Sequence, residues 1–147
     1  MIVFNDVTKR YPGGHEALKQ VSFELLPGEM AFLTGRSGAG KSTLLKLIAV
    51  IEKSTKGQVI VNDHNLGRLP RRRLPYFRRR IGVVFQDHKL LPERTVFENV
   101  ALPLVVSGFN PRDIPRRVRA ALDKVGLLGK EPLYPPMLSG GDRKSVV

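Results

Sequence analysis

Nine consecutive residues, Gly35-Arg36-Ser37-Gly38-Ala39-Gly40-Lys41-Ser42-Thr43, have the types and spacing of a phosphate site. They fit the pattern G-x-x-x-x-G-K-[ST], with Gly35, Gly40, Lys41 and Ser42 at its fixed positions. Glycines let main-chain N–H groups close around an anion. The first N–H groups of a helix beginning there have no partner within it and lie at its positive dipole end. Lys41 is suited to reach the β- and γ-phosphates of a nucleotide, and the Ser42 hydroxyl to ligate Mg²⁺. Such chemistry needs a strand and a helix to hold it. The apolar run Met30 to Leu33 predicts a buried strand entering the loop, and Leu44 to Ile51 predicts a buried helix leaving it. That context separates the pattern from a chance glycine-rich turn and predicts a nucleoside triphosphate site.

The chain has 147 residues, room for one domain, and 41% hydrophobic residues, ordinary for a globular protein. No apolar run approaches the roughly 18 residues of a membrane span. The N-terminus, Met-Ile-Val-Phe-Asn-Asp, has no basic segment followed by an apolar one, so no signal peptide is expected. With no cysteine, disulfide and thiolate chemistry are excluded, and a reducing compartment fits. His15, His64 and His88 lie far apart, without metal-site spacing. The net charge of +12 would ordinarily suggest an anionic partner. However, seven of the 25 basic residues (Arg68, Arg71, Arg72, Arg73, Arg78, Arg79 and Arg80) fall in one short stretch. It reads as a solvated turn and helix in preference to a lipid or nucleic-acid contact, since charge runs are usually solvated faces. No nucleic-acid partner is expected.

Two alternating segments, Ile2 to Val7 and Val21 to Leu25, predict half-buried strands separated by the turn residues Tyr11-Pro12-Gly13-Gly14. Gly57 to Val61 predicts another strand, ended by Asn62-Asp63. Ile81 to Phe85 is a further apolar strand, expected to run parallel to the one before the loop. Pro70 and Pro75 place any helix of the arginine stretch at or after Pro75. Beyond Gln86 the pattern turns helical. Thr95 and Glu98 form a capping box, followed by Val96, Phe97, Val100, Ala101 and Leu104 at helical spacing. Pro111 sits at a helix start. Ile114, Val118, Ala121, Leu122 and Val125 mark one apolar face, stopped by Gly126. The reading is an α/β fold: residues 1–85 as a phosphate-loop core with an N-terminal antiparallel β piece, then 86–141 as a helical subdomain.

Three further sites, in order, carry a family resemblance: Tyr11 in its turn, Gln86 after a strand, and Leu138-Ser139-Gly140-Gly141 after the helices. With the glycine loop, they resemble the ATP-binding subunits of ABC transporters, a class of P-loop NTPase. The resemblance covers roughly residues 1–141. It implies ATP and Mg²⁺ as ligands, with Tyr11 stacking on adenine. It implies that Gly35 to Thr43 hold the phosphates, and that Ser42 and Gln86 serve the metal. It also implies a head-to-tail homodimer in which Ser139, Gly140 and Gly141 of one chain cover the nucleotide held by the other. Phe85 to Leu91, Arg94-Thr95-Val96, Glu98 to Leu104 and Ala120 to Leu128 narrow the match. They point to the branch that works with a transmembrane subunit in bacterial cell division, peripheral to the cytoplasmic face of the inner membrane. The ATPases of lipoprotein release and macrolide export are its near relatives. In that context Asp87 and His88 read as coupling-surface residues beside Gln86 in preference to an acid–base pair, and Glu98 as a cap.

The sequence departs from the family in two places. After Gly141 it runs Asp142-Arg143-Lys144-Ser145-Val146-Val147, which does not resemble the family's continuation. The family's Walker B Asp, catalytic Glu, D-loop and switch His have no counterpart here. The expectation is a cassette incomplete at its C-terminus, with residues 142–147 outside the family, that does not hydrolyse ATP alone. The second departure is Val50, where the family usually has glycine. If that position requires a positive φ, a β-branched residue is costly there.

Overall fold

A computed structural model describes residues 1–146 of the chain. They form two compact units, divided between Ile81 and Gly82.

The first unit is built on a four-stranded antiparallel sheet. Its strands are β1 (Ile2–Arg10), β2 (Glu16–Leu25), β3 (Lys56–Val61) and the short β4 (His64–Asn65), in the order β2-β1-β3-β4. One sheet face carries Phe4, Val7, Leu18, Val59 and Val61, all buried, with Phe4 and Phe23 stacked at 4.6 Å. Asn62 and Asp63 both have positive φ and close the β3–β4 hairpin in the turn class that matches strand twist. Helix α1 (Lys41–Ile48) adds Leu44 and Leu47 to the same core. β1 carries a bulge at Asp6, whose φ is 48°, and its register against both neighbours shifts there.

The two apolar runs expected to form parallel strands are not strands. Residues 30–33 and 81–85 have no ladder partner among the described residues, and Met30 and Phe32 are 85% and 87% exposed. A continuous apolar run marks a strand covered on both faces and paired at both edges. Here the described residues supply no pairing, and beyond Ile81, which packs on the core, they leave most of both runs uncovered. Within these residues the sheet is wholly antiparallel.

Val50 does occupy the left-handed region, with φ 53°. It follows the α1 C-cap Ala49, and two hydrogen bonds define the turn: Ile51 N–H to Lys46 C=O at 2.9 Å and Val50 N–H to Leu47 C=O at 3.1 Å. This is the helix ending in which glycine is favoured. The Val50 side chain is also buried, 4% exposed. Relief of a left-handed β-branched residue is worth roughly 1–2 kcal/mol, and burial of a valine roughly 1.5–3 kcal/mol. Val50→Gly is therefore expected to cost only about 1 kcal/mol in urea unfolding. Val59→Ala, at an unstrained core site, should cost about 2 kcal/mol or more. Equal losses would show that Val50 is not strained.

The arginine stretch forms a 3₁₀ turn, Arg71–Arg73, and the short helix α2 (Leu74–Arg78), which starts one residue before Pro75. Among the described residues none of its arginines pairs with a carboxylate. Arg78 donates to Val50 C=O at 2.7 Å and Arg79 lies over the Tyr76 ring.

The second unit is helical: α3 (Val96–Val106), α4 (Ile114–Lys124) and α5 (Gly140–Val146). Val96, Ala101, Ile114, Val118, Leu122, Leu127, Leu138 and Val146 form its core. The face expected on α4 is present at Ile114, Val118 and Leu122, while Ala121 and Val125 are exposed. Pro111 lies in the turn before α4, and Gly126, with positive φ, ends it. The Thr95–Glu98 capping box is complete. Glu98 N–H donates to the Thr95 hydroxyl at 3.2 Å and Thr95 N–H to the Glu98 carboxylate at 2.7 Å.

Those bonds hold the Glu98 carboxyl below its ordinary 4.5, the backbone N–H of Thr95 contributing most. Asp142 is lowered from 3.8, first by Lys130 and then by Ser139. Each carboxylate binds its proton more weakly in the folded state, so protonation favours the unfolded chain. Their stabilisation is complete above the ordinary values and lost as pH falls through the lowered ones. Thr95→Ala should cost about 1 kcal/mol at neutral pH. The Thr95 hydroxyl also donates to the Glu98 carboxylate at 3.0 Å, so the deficit should shrink as pH falls through the lowered Glu98 value. Thermal unfolding at neutral and at acid pH tests this; since the backbone N–H bond to Glu98 survives in the variant, a deficit independent of pH would mean that the hydroxyl gains nothing from the Glu98 charge. No helix among the described residues is long and apolar enough to cross a membrane.

Candidate functional site

The glycine loop of the first unit runs from Gly35 to Gly40 and delivers α1. Gly35, Gly38 and Gly40 all have positive φ. Gly40 is the N-cap residue of α1, with φ 86°, and no side chain caps the helix. A Cβ there would stand 2.3 Å from Ala17 C=O and 2.8 Å from Leu18, so the loop is pressed against β2 at a point only glycine can fill. The first N–H groups of α1 are thus left for a ligand, at the positive end of the helix.

Lys41 extends across this loop. Its ammonium donates to Gly35 C=O at 2.6 Å and to Arg36 C=O at 2.8 Å. Ser42 is exposed one residue into α1. Thr43 is buried, and its hydroxyl lies 3.3 Å from that of Tyr11. Tyr11 follows the end of β1 in a turn closed by Tyr11 N–H to His15 C=O at 2.8 Å. The fold therefore brings Tyr11 to the phosphate loop, 32 residues away in sequence.

An aromatic ring, a ring of backbone donors and a lysine within one compact unit can bind a base and a polyphosphate together. The residues fit a nucleotide on the evidence of the uncapped helix start and the cradle that a Cβ at Gly40 would fill.

Gln86 and Ser139 to Gly141 belong to the second unit. Gln86 is exposed in a turn. The next residues hold unusual backbone, with positive φ at His88 and Lys89, and an Asp87–Lys89 ion pair at 2.6 Å. Both partners are exposed, so the pair adds little stability. His88 Nδ1 is buried and has no hydrogen-bond partner among the described residues.

Ser139 opens α5. Its hydroxyl accepts from Asp142 N–H at 3.2 Å and donates to the Asp142 carboxylate at 2.7 Å, while Lys130 donates to the same oxygen at 2.8 Å. Asp142, the first of the six residues expected to lie outside the family, caps the helix that Ser139 begins. The pattern [ST]-x-x-[DE] was the signal for it.

The sequence reading also missed Lys9 and Glu52. Lys9 donates to the Glu52 carboxylate at 2.7 Å and to Lys53 C=O at 2.9 Å, and its ammonium stands 4.8 Å from the Tyr11 ring centre. Val7 sets the inward phase of this end of β1, and Lys9 is two residues on.

This architecture is that of a nucleotide-binding cassette. Residues 18–147 match the ABC transporter family, and the chain belongs to it. That match reaches the last six residues, which were expected to lie outside it. The chain is 56% identical over 146 residues to the cell division ATP-binding protein FtsE of Escherichia coli K12, covering 99% of this chain and 66% of that protein. It is 48% identical to FtsE of Bacillus subtilis, again over 99% of this chain and over 64% of that one. Among solved structures it resembles the ATP-binding cassette MJ0796 in a dimeric post-hydrolysis state bound to ADP and Pi. The TM-score is 0.91 at 34% identity, covering 99% of this chain and 66% of that one. The chain thus spans about two thirds of the length of these relatives.

Proposed function

We propose that this chain binds ATP with Mg²⁺ and belongs to the ATP-binding subunit of a bacterial cell-division complex. The observation that carries the binding reading is the glycine loop delivering an uncapped α1, with Lys41 lying across it. Backbone N–H groups of residues 36–43 and the Lys41 ammonium would hold the phosphates, and Ser42 would ligate the metal. Tyr11 would stack on adenine. Gln86 would serve Mg²⁺ and the attacking water. Ser139, Gly140 and Gly141 would close over the nucleotide of a second copy in a head-to-tail dimer. The cell-division reading is supported by the 56% identity to FtsE. On that reading the partner is an FtsX-like transmembrane subunit, and the protein sits peripherally at the cytoplasmic face of the inner membrane.

Phosphoryl transfer to water depends on positioning both metal and nucleophile. After Gly141 the only remaining carboxylate side chain is Asp142, and it is engaged in capping α5. The 147 residues are therefore proposed to bind ATP without turning it over. Titration calorimetry with Mg-ATP and a phosphate-release assay on the purified chain test both statements. Absence of binding by a chain that is folded by circular dichroism would overturn the first. Turnover above that of Lys41→Ala would overturn the second.

A further inference from the structure

The ring of Tyr11 is held at two points that the phosphate loop does not require. At its tip, the hydroxyl meets that of Thr43, a buried residue of α1. On one face stands the ammonium of Lys9, 4.8 Å from the ring centre. Lys9 is an unusual residue to find there, since lysine is almost never this buried unless paired. Its side chain is only 11% exposed, and it is paired to Glu52 and to Lys53 C=O, just past the end of α1. The same loop is tied to β1 by Thr55 N–H to Thr8 C=O at 2.8 Å and by Arg10 N–H to the Thr55 hydroxyl at 2.9 Å. The Tyr11 ring is therefore fastened to both ends of α1, at its start through Thr43 and beyond its close through Lys9.

We propose that Lys9 is a positioning residue for base recognition, holding the Tyr11 ring by one face so that the other is presented to the purine. Two physical effects act together. A cation over an aromatic face fixes the ring's tilt at a worth of roughly 0.5–2 kcal/mol, increasing with desolvation. It also draws π-electron density toward itself, which makes the opposite face a better partner for an electron-rich base. A ring immobilised in advance loses less freedom when the ligand arrives. Glu52 completes the device by neutralising a buried charge that would otherwise be costly.

The inference rests on the nucleotide reading above, and one comparison separates the two. Affinities of the 147-residue chain for Mg-ATP and for inorganic tripolyphosphate, which lacks the base, are measured side by side by calorimetry. Lys9→Met preserves the length of the stem and removes the charge. It should weaken ATP about 3–10-fold and leave tripolyphosphate unchanged, with Lys9→Arg recovering most of the loss. Equal weakening of both ligands would mean that Lys9 only supports the fold, and no change in either would mean that it does not act on the ring; both overturn the inference. Should Lys9→Met fail to fold, Tyr11→Phe decides. It keeps the ring, frees it from Thr43, and should lower ATP affinity about 2–5-fold with tripolyphosphate unaffected. An unchanged ATP affinity there overturns the anchored-ring device. A wild-type chain that binds neither ligand refutes the nucleotide reading itself.

Discussion

Lys41→Ala is expected to weaken Mg-ATP binding at least 100-fold while leaving the first unit folded. The two halves of this expectation come from different properties of one side chain. In the structure the Lys41 ammonium donates to two loop carbonyls, Gly35 at 2.6 Å and Arg36 at 2.8 Å. These are exposed hydrogen bonds that water can replace, so their loss costs little stability. Toward a triphosphate the same ammonium would make charge-assisted bonds, worth roughly 1.5–3 kcal/mol each. Two such bonds amount to about 3–6 kcal/mol, or roughly two to four decades of affinity. Circular dichroism and calorimetry on one preparation test both halves. A folded variant that binds within tenfold of wild type would remove Lys41 from the site. Lys41→Arg is expected to rescue poorly, because a planar guanidinium cannot take the place of a compact ammonium inside a tight loop.

Local chemistry was the legible part of this chain. The glycine loop, the Thr95–Glu98 cap and the buried face of α4 at Ile114, Val118 and Leu122 are set by residues within a few positions of each other. Such features depend on backbone rules that the sequence displays directly. Pairing was not legible, because it is decided at a distance. Residues 30–33 and 81–85 carry the composition of buried strands, but a ladder needs a neighbour, and none stands beside them among the described residues. The site was read in the same uneven way. Tyr11 and the phosphate loop were named and do come together. Lys9 was passed over because the strand was expected to end at Val7, whereas β1 runs on to Arg10 and the bulge at Asp6 resets its inward phase. Counting alternate residues from Phe4 points Thr8 inward; the fold buries Val7 and Lys9.

That same bulge creates the position of largest expected stability loss. Gly57, near the start of β3, has φ 78° and lies against the Asp6 bulge of β1. A Cβ on Gly57 would stand 2.3 Å from Asp6 C=O, 2.5 Å from Asn5 C=O and 2.6 Å from the Asp6 carbonyl carbon. These are backbone atoms, so no side-chain rotation relieves the overlap; β1 and β3 would have to part. The register between them already shifts at this point, which leaves few ladder bonds to absorb a displacement. Gly57→Ala therefore combines a left-handed alanine, costing roughly 1–2 kcal/mol, with overpacking of about 1–3 kcal/mol. The expected total of about 2–5 kcal/mol is a large part of the 5–15 kcal/mol that holds a typical domain together. Gly28→Ala isolates the clash. Gly28 has φ 84° in the same unit, with nothing within 4 Å of its would-be Cβ, so that variant carries the backbone strain alone. Urea unfolding should place Gly28→Ala about 1–2 kcal/mol below wild type and Gly57→Ala a further 1–3 kcal/mol lower. Coincident midpoints for the two variants would mean that β3 does not approach the bulge closely, and that the sheet order around β1 is wrong.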